Sequence, residues 1–105
     1  MALIEWKEPW HAAPLIEGIP FAQRQFEREI TRFHPLYGRG GKVVGCRQDC
    51  DDVVVVLDDG SYVNVHLVWN QGSEPYPDKY PSWFSYGILE SFIVAMNADA
   101  AEFSE

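Results

Sequence analysis

Long apolar runs are missing from this chain: no stretch approaches the roughly 20 consecutive residues that a membrane-spanning helix needs. An uncharged leader is missing too. The opening MALIEWKEPWHAAP carries Glu5, Lys7 and Glu8 where a secretory signal would be unbroken and apolar. A cytoplasmic protein is therefore expected. Cysteine is scarce, with only Cys46 and Cys50. A structural zinc site takes four Cys or His ligands in paired short spacings, and a single Cys-x3-Cys pair falls short of that. No metal and no cofactor are expected. On one continuous strand the two α-carbons would lie roughly 13 Å apart, beyond disulfide reach unless a turn intervenes. Reduced thiols in a reducing compartment are the expectation. Positive charge is also short: eight Lys and Arg stand against sixteen Asp and Glu, a net charge of −8. Such a surface repels phosphate backbones and anionic lipid headgroups, which argues against nucleic acid and membrane as partners. Solubility explains acidity just as well, yet a basic protein partner would be attracted and steered by it.

Catalytic signatures are equally absent. No G-x-S-x-G, HExxH, CxxC or P-loop occurs, and no internal repeat. The glycines at 38–41 (GRGG) have no strand before them and no GK[ST] after them, so they read as a linker. Asp49-x-Asp51 resembles the start of a calcium loop, but Val53 fills the next ligand position.

What is present is enough apolar material for one domain. The 105 residues are 47% hydrophobic and 14% aromatic, so a single domain over 1–105 with a real core is expected. Residues 1–18 mix Trp6, Trp10, Pro9 and Pro14 with charge and read as an irregular arm whose tryptophans dock on the body. Ala22, Phe26, Ile30 and Phe33 recur at helical spacing over about 20–33, with Pro20 suited to the first turn and His34-Pro35 as the stop. Strands are expected over about 42–48, 52–58 and 61–69. Asp59-Gly60 joins the last two as a two-residue turn. That turn sets Leu57 opposite Tyr62, Val55 opposite Asn64, and Val53 opposite His66. Val54, Val56, Val63, Val65 and Leu67 then share the core face. The middle strand, apolar on both sides, belongs at the sheet centre. The proline-rich stretch 70–85 (NQGSEPYPDKYPSWFS) reads either as a binding loop or as a lid with Trp83 and Phe84 buried. Residues 87–96 (GILESFIVAM) read as a helix that Ser85 could cap, and 97–105 as a frayed acidic tail.

The expected fold is α+β: a three-stranded antiparallel meander with an N-terminal and a C-terminal helix packed on it. Phe26, Ile30, Phe33, Leu89 and Phe92 are its expected partners for the valine face.

Two constellations bear on function. Asp49, Asp51 and Asp52 crowd one end of the central strand, more acids than a turn requires. With Tyr76, Tyr80 and Trp83 of the proline-rich stretch they form a candidate surface for Arg or Lys of a partner. The alternative is a general base, His66 oriented by Asp51 on the same face, although a half-buried imidazole serving only the fold is the plainer reading. Cys46, two strands from His66 and so roughly 9.6 Å away, is too distant to be its nucleophile and reads as a core residue.

His34-Pro35-Leu36-Tyr37-Gly38, Asp51-Asp52-Val53, Asp59-Gly60 and His66-Leu67-Val68-Trp69, followed by Glu74 and Pro75, resemble a group of small bacterial proteins with His-Pro-Leu, Asp-Asp-Val and His-Leu-x-Trp segments. The resemblance runs over about 34–96, and Val68 stands where that group often has Thr. It implies a bacterial, single-domain, cytoplasmic protein and carries over no catalytic residue. From the residues themselves, a small non-enzymatic protein-binding domain is expected, of immunity or inhibitor type against a basic toxin or nuclease. A small enzyme using His66 and Asp51 is the alternative. A homodimer through a sheet edge or the aromatic loop is a third reading.

Overall fold

Val53 to Val56 sit at the centre of a five-stranded antiparallel sheet in a computed structural model that describes residues 4–69 and 74–104. Its strands are β1 (Trp10–Ala12), β4 (Lys42–Arg47), β5 (Asp52–Val56), β6 (Tyr62–His66) and β7 (Ser82–Gly87), side by side in that order. A separate hairpin pairs β2 (Leu15–Ile16) with β3 (Ile19–Pro20). The two helices described are α1 (Gln23–Glu29) and α2 (Leu89–Phe103). The α+β class is as expected, but the sheet is a five-stranded one and not a three-stranded meander.

Both extra strands come from segments read as irregular. In the N-terminal arm, Trp10 pairs with Arg47 and Ala12 with Gly45, which adds β1 to the edge of β4. At the other edge β7 pairs with β6, Val65 opposite Trp83 and His66 opposite Ser82. Prolines 75, 77 and 81 all precede β7, so proline's missing N–H never enters its ladder.

The β5–β6 hairpin differs from the expected register by one residue. Asp59 has no positive φ, whereas Gly60 sits at φ 87°, so the two-residue mirror-image turn does not form. Instead Asp58-Asp59-Gly60 is a three-residue loop: the Leu57 N–H donates to the Ser61 carbonyl (2.9 Å) and the Gly60 N–H to the Leu57 carbonyl (2.9 Å). Asp59 Oδ1 accepts from the Ser61 N–H at 2.9 Å. Val55 therefore lies opposite Val63, Val53 opposite Val65, and Asp52 opposite His66. The β6 alternation stands, but the β5 half of the expected sorting inverts.

The consequence is a sheet covered on both sides. On one face Phe26 of α1, with Ile30 just past its end, packs with Val43, Cys46, Val53, Val55, Leu57, Val63, Val65 and Leu67. Gln23 ties α1 to this layer: its Oε1 accepts from the Val43 N–H (2.7 Å) and its Nε2 donates to the Gly41 carbonyl (3.0 Å). On the other face Phe92 and Met96 of α2 cluster with Trp10 and Val54, flanked by Trp6, Val44, Tyr62 and Tyr86. The helices thus occupy opposite faces, not the shared valine face expected. Burial of β5 on both sides, and its central place, agree with its unbroken valines.

Helix ends also shift. Pro20 lies in β3, and α1 begins only at Gln23, after Ala22 in the left-handed region. It ends at Glu29, which leaves Phe33 outside it and exposed, with Arg32 over its ring at 4.9 Å. Ser85 lies in β7, where its Oγ accepts from the Gly87 N–H, and does not cap α2. α2 runs on to Phe103 through the segment read as a frayed tail. Ala95, Ala98, Ala100 and Ala101 favour helix there, and Asp99 anchors it: Oδ2 accepts from Trp10 Nε1 (2.9 Å) and pairs with Arg47 (3.3 Å).

Candidate functional site

Where β5, β6 and β7 end together, cross-strand pairing lines up three polar side chains: Asp52, His66 and Ser82. Adjacent positions of an antiparallel pair hold their side chains on one face within about 5.5 Å. His66 Nδ1 lies 2.6 Å from Asp52 Oδ1. A carboxylate accepts only, so in this contact Nδ1 is the donor and Nε2 is the ring nitrogen that Asp52 does not engage. The partner of His66 is thus Asp52, not Asp51. The imidazole side chain is 52% exposed, so the ring is half in solvent while its Nδ1 is bonded to Asp52. Behind it, Asn64 Nδ2 donates to Asp52 Oδ2 and to Tyr86 Oη, both at 3.1 Å. Burial pushes the Tyr86 phenol above its ordinary value, which keeps it neutral at this junction.

Beside the imidazole opens a cleft of about 330 Å³ lined by Asp51, His66, Leu67, Val68, Glu74, Tyr80 and Ser82. Two carboxylates and a phenol therefore face the same space as His66. Glu74 Oε1 also accepts from the Tyr76 N–H at 3.1 Å, which fixes its position at the rim. Lys79 is directed over the Tyr76 ring, 5.7 Å from its centroid.

The six residues read from sequence as a partner surface separate into three groups. Asp51 and Tyr80 meet in the cleft, Asp52 supports it from below through His66, and Tyr76 stands exposed nearby. Asp49 is bound by Arg47 through two hydrogen bonds of 2.8 Å, and that guanidinium holds its carboxyl below the usual range. Trp83 turns to the opposite face and packs against the α1-side core. Of the stretch 70–85, residues 70–73 lie outside the described residues. Ser82 and Glu74 were missed as site residues. No hydrophobic alternation marks the strand that carries Ser82, since Trp83 and Phe84 are adjacent; its aromatic enrichment was the available signal.

The remaining candidates are structural. Cys46 is buried, and burial pushes its thiol up to about 11, so it holds no thiolate for nucleophilic work. His34 is buried and doubly used: Nδ1 accepts from the Leu36 N–H (3.1 Å), which leaves Nε2–H to donate to the Pro81 carbonyl (2.8 Å). Among the described residues no group of three or more His, Cys, Asp or Glu is arranged to hold a metal ion, and no helix is long and apolar enough to cross a membrane. Compared with family models, curated proteins and solved structures, the chain matches none of them.

Proposed function

We propose that this is a small protein-binding domain, of immunity or inhibitor type, that takes a cationic side chain of a basic partner into the Asp51–Glu74–Tyr80 cleft. The observation that carries this reading is the convergence of two carboxylates and an exposed aromatic ring on one concavity in a chain of net charge −8. Carboxylates bind guanidinium by charge-assisted hydrogen bonds, and an aromatic face adds cation–π attraction. His66, held by Asp52, adds a polar wall whose second nitrogen can accept from the same cation. The bacterial, cytoplasmic setting implied by the His-Pro-Leu and His-Leu-x-Trp segments suits such a partner.

The test is capture of partners on the tagged protein, identification by mass spectrometry, and calorimetry with the purified partner. Asp51→Lys is expected to weaken binding at least tenfold, with Tyr80→Ala weaker by a smaller factor. Affinity unchanged in both variants would remove the reading. Trp83→Ala is not a useful probe, because that ring packs against the core.

A second reading is favoured by the Asp52–His66 distance of 2.6 Å and by Ser82 on the neighbouring strand. In it His66 is a general base acting on a substrate in the same cleft. It predicts hydrolysis of simple activated esters that disappears in His66→Ala while the urea midpoint is kept. A wild-type rate equal to that of His66→Ala ends it.

A further inference from the structure

Next along the chain from Val68, Trp69 lines a second concavity, a largely apolar groove of about 320 Å³ that it shares with Ile16, Ile19 and Phe21 and with the polar Glu17, Arg24 and Gln25. Three of its apolar side chains remain partly in solvent: Ile16 is 59% exposed, Phe21 41% and Trp69 41%. Scattered exposed apolar residues are ordinary, but a contiguous set around a groove marks an interaction surface.

The fold holds this surface open at some cost. Trp69 is in the left-handed region at φ 59°, a conformation that residues with a β-carbon rarely adopt. Glu29, at the end of α1, offsets this by accepting the N–H groups of both Val68 (2.7 Å) and Trp69 (2.9 Å) on its two carboxylate oxygens. The indole is then set against Phe21, ring centroids 6.1 Å apart and planes inclined at 33°. Two charge-assisted hydrogen bonds thus position an aromatic residue that stays 41% exposed.

Resting on the reading above, we propose that the same basic partner inserts an apolar side chain into the Phe21–Trp69 groove while its cationic residue occupies the Asp51–Glu74 cleft. Charge complementarity selects this occupant. Val68 lines the cleft and the next residue, Trp69, lines the groove, so a segment bearing a basic and an apolar residue a few positions apart is the occupant that suits both. A second copy of this chain would bring another net charge of −8 to the same surface. The partner is therefore a cationic segment with an adjacent hydrophobic anchor, and the anchor supplies affinity that the exposed acidic cleft cannot supply alone.

The experiment uses the full chain and capped peptides: one with a single Arg among Gly and Ser, and others with Leu or Phe placed two to four residues from that Arg. Nitrogen–proton spectra report the Trp69 indole and carbon–proton spectra the His66 ring. The expected result is that Arg-Leu and Arg-Phe peptides shift both signals and bind about tenfold tighter than the Arg-only peptide. Phe21→Ala and Trp69→Ala should abolish that tenfold difference without changing Arg-only binding. Arg-only binding with no gain from Leu or Phe overturns the groove proposal and leaves the cleft reading standing. Failure of all peptides to shift His66 overturns the cleft reading, and with it this one. Trp69 shifts that depend on protein concentration alone, with a dimer in sedimentation, assign the groove to a second copy and also overturn the proposal.

Discussion

His34 shows how a residue that looks chemical is consumed by the fold. Its ring bridges two segments, the 34–36 turn and the carbonyl that precedes β7. Both partners are backbone groups, and the histidine is buried. Removing the ring leaves the Leu36 N–H and the Pro81 carbonyl without the bonds they make, at a cost of about 1–3 kcal/mol. His34→Ala is therefore expected to lower stability by about that amount, with β7 losing amide-exchange protection before the central strands. Denaturant unfolding with hydrogen exchange reads both quantities. His66→Ala is expected to cost far less, since its imidazole is half in solvent and bonded to a single carboxylate oxygen. The contrast between the two histidines separates a fold residue from a site residue, and sequence alone could not make it. Each lies beside apolar neighbours, and only the path of 74–81 decides which one is covered.

At the scale of elements, two glycines are required for opposite reasons. Gly60 closes the 58–60 loop at φ 87° with nothing within 4 Å of where a β-carbon would sit. Gly45 has ordinary backbone, but a β-carbon there would run into the Trp6 ring and touch Val54 at 3.0 Å. Gly60→Ala should cost about 1 kcal/mol, purely conformational. Gly45→Ala should cost about 1–3 kcal/mol and release Trp6, seen as a red shift of tryptophan emission. The strands most legible in the sequence were those with strong alternation or continuous valine: β4, β5, β6 and the central place of β5 followed from them. Less legible were β1, three residues inside an arm rich in Trp and Pro, and β7, which follows three prolines closely spaced. Neither carries a hydrophobic period of its own, and each forms only because a neighbouring edge is there to pair with. The one-residue slip at Asp59-Gly60 has the same character. Asp-Gly fits both a two-residue turn and a three-residue loop, and the choice goes to the register that pairs valines 55 and 63. For the site this mattered directly, since it exchanged Asp51 for Asp52 as the histidine's partner.

For the molecule as a whole, acidity sets two opposing responses to pH. A net charge of −8 destabilises the compact state by self-repulsion, so partial protonation below neutrality should first raise stability. Against this stand the carboxylates that the fold itself holds ionised. Asp49 is kept below the ordinary range first by its hydrogen bonds to Arg47, and Asp59 first by the Ser61 N–H. A group whose pKa is lower folded than unfolded contributes stability above its unfolded value and loses it as pH falls through the folded one. Their contributions are thus intact above about pH 4 and fade below it. The expected profile of urea midpoint against pH rises gently from 7 to about 5 and drops below about 4. Salt separates the two causes: added salt should flatten the gentle rise, because repulsion between exposed charges is screened, and should leave most of the acid drop in place. Asp49→Asn is expected to make that drop shallower while leaving the rise unchanged. A profile in which the Asn variant and the parent fall in parallel below pH 4 would mean that Arg47 does not hold the Asp49 carboxyl ionised in solution, and the acid drop would then belong to other carboxylates such as Asp59.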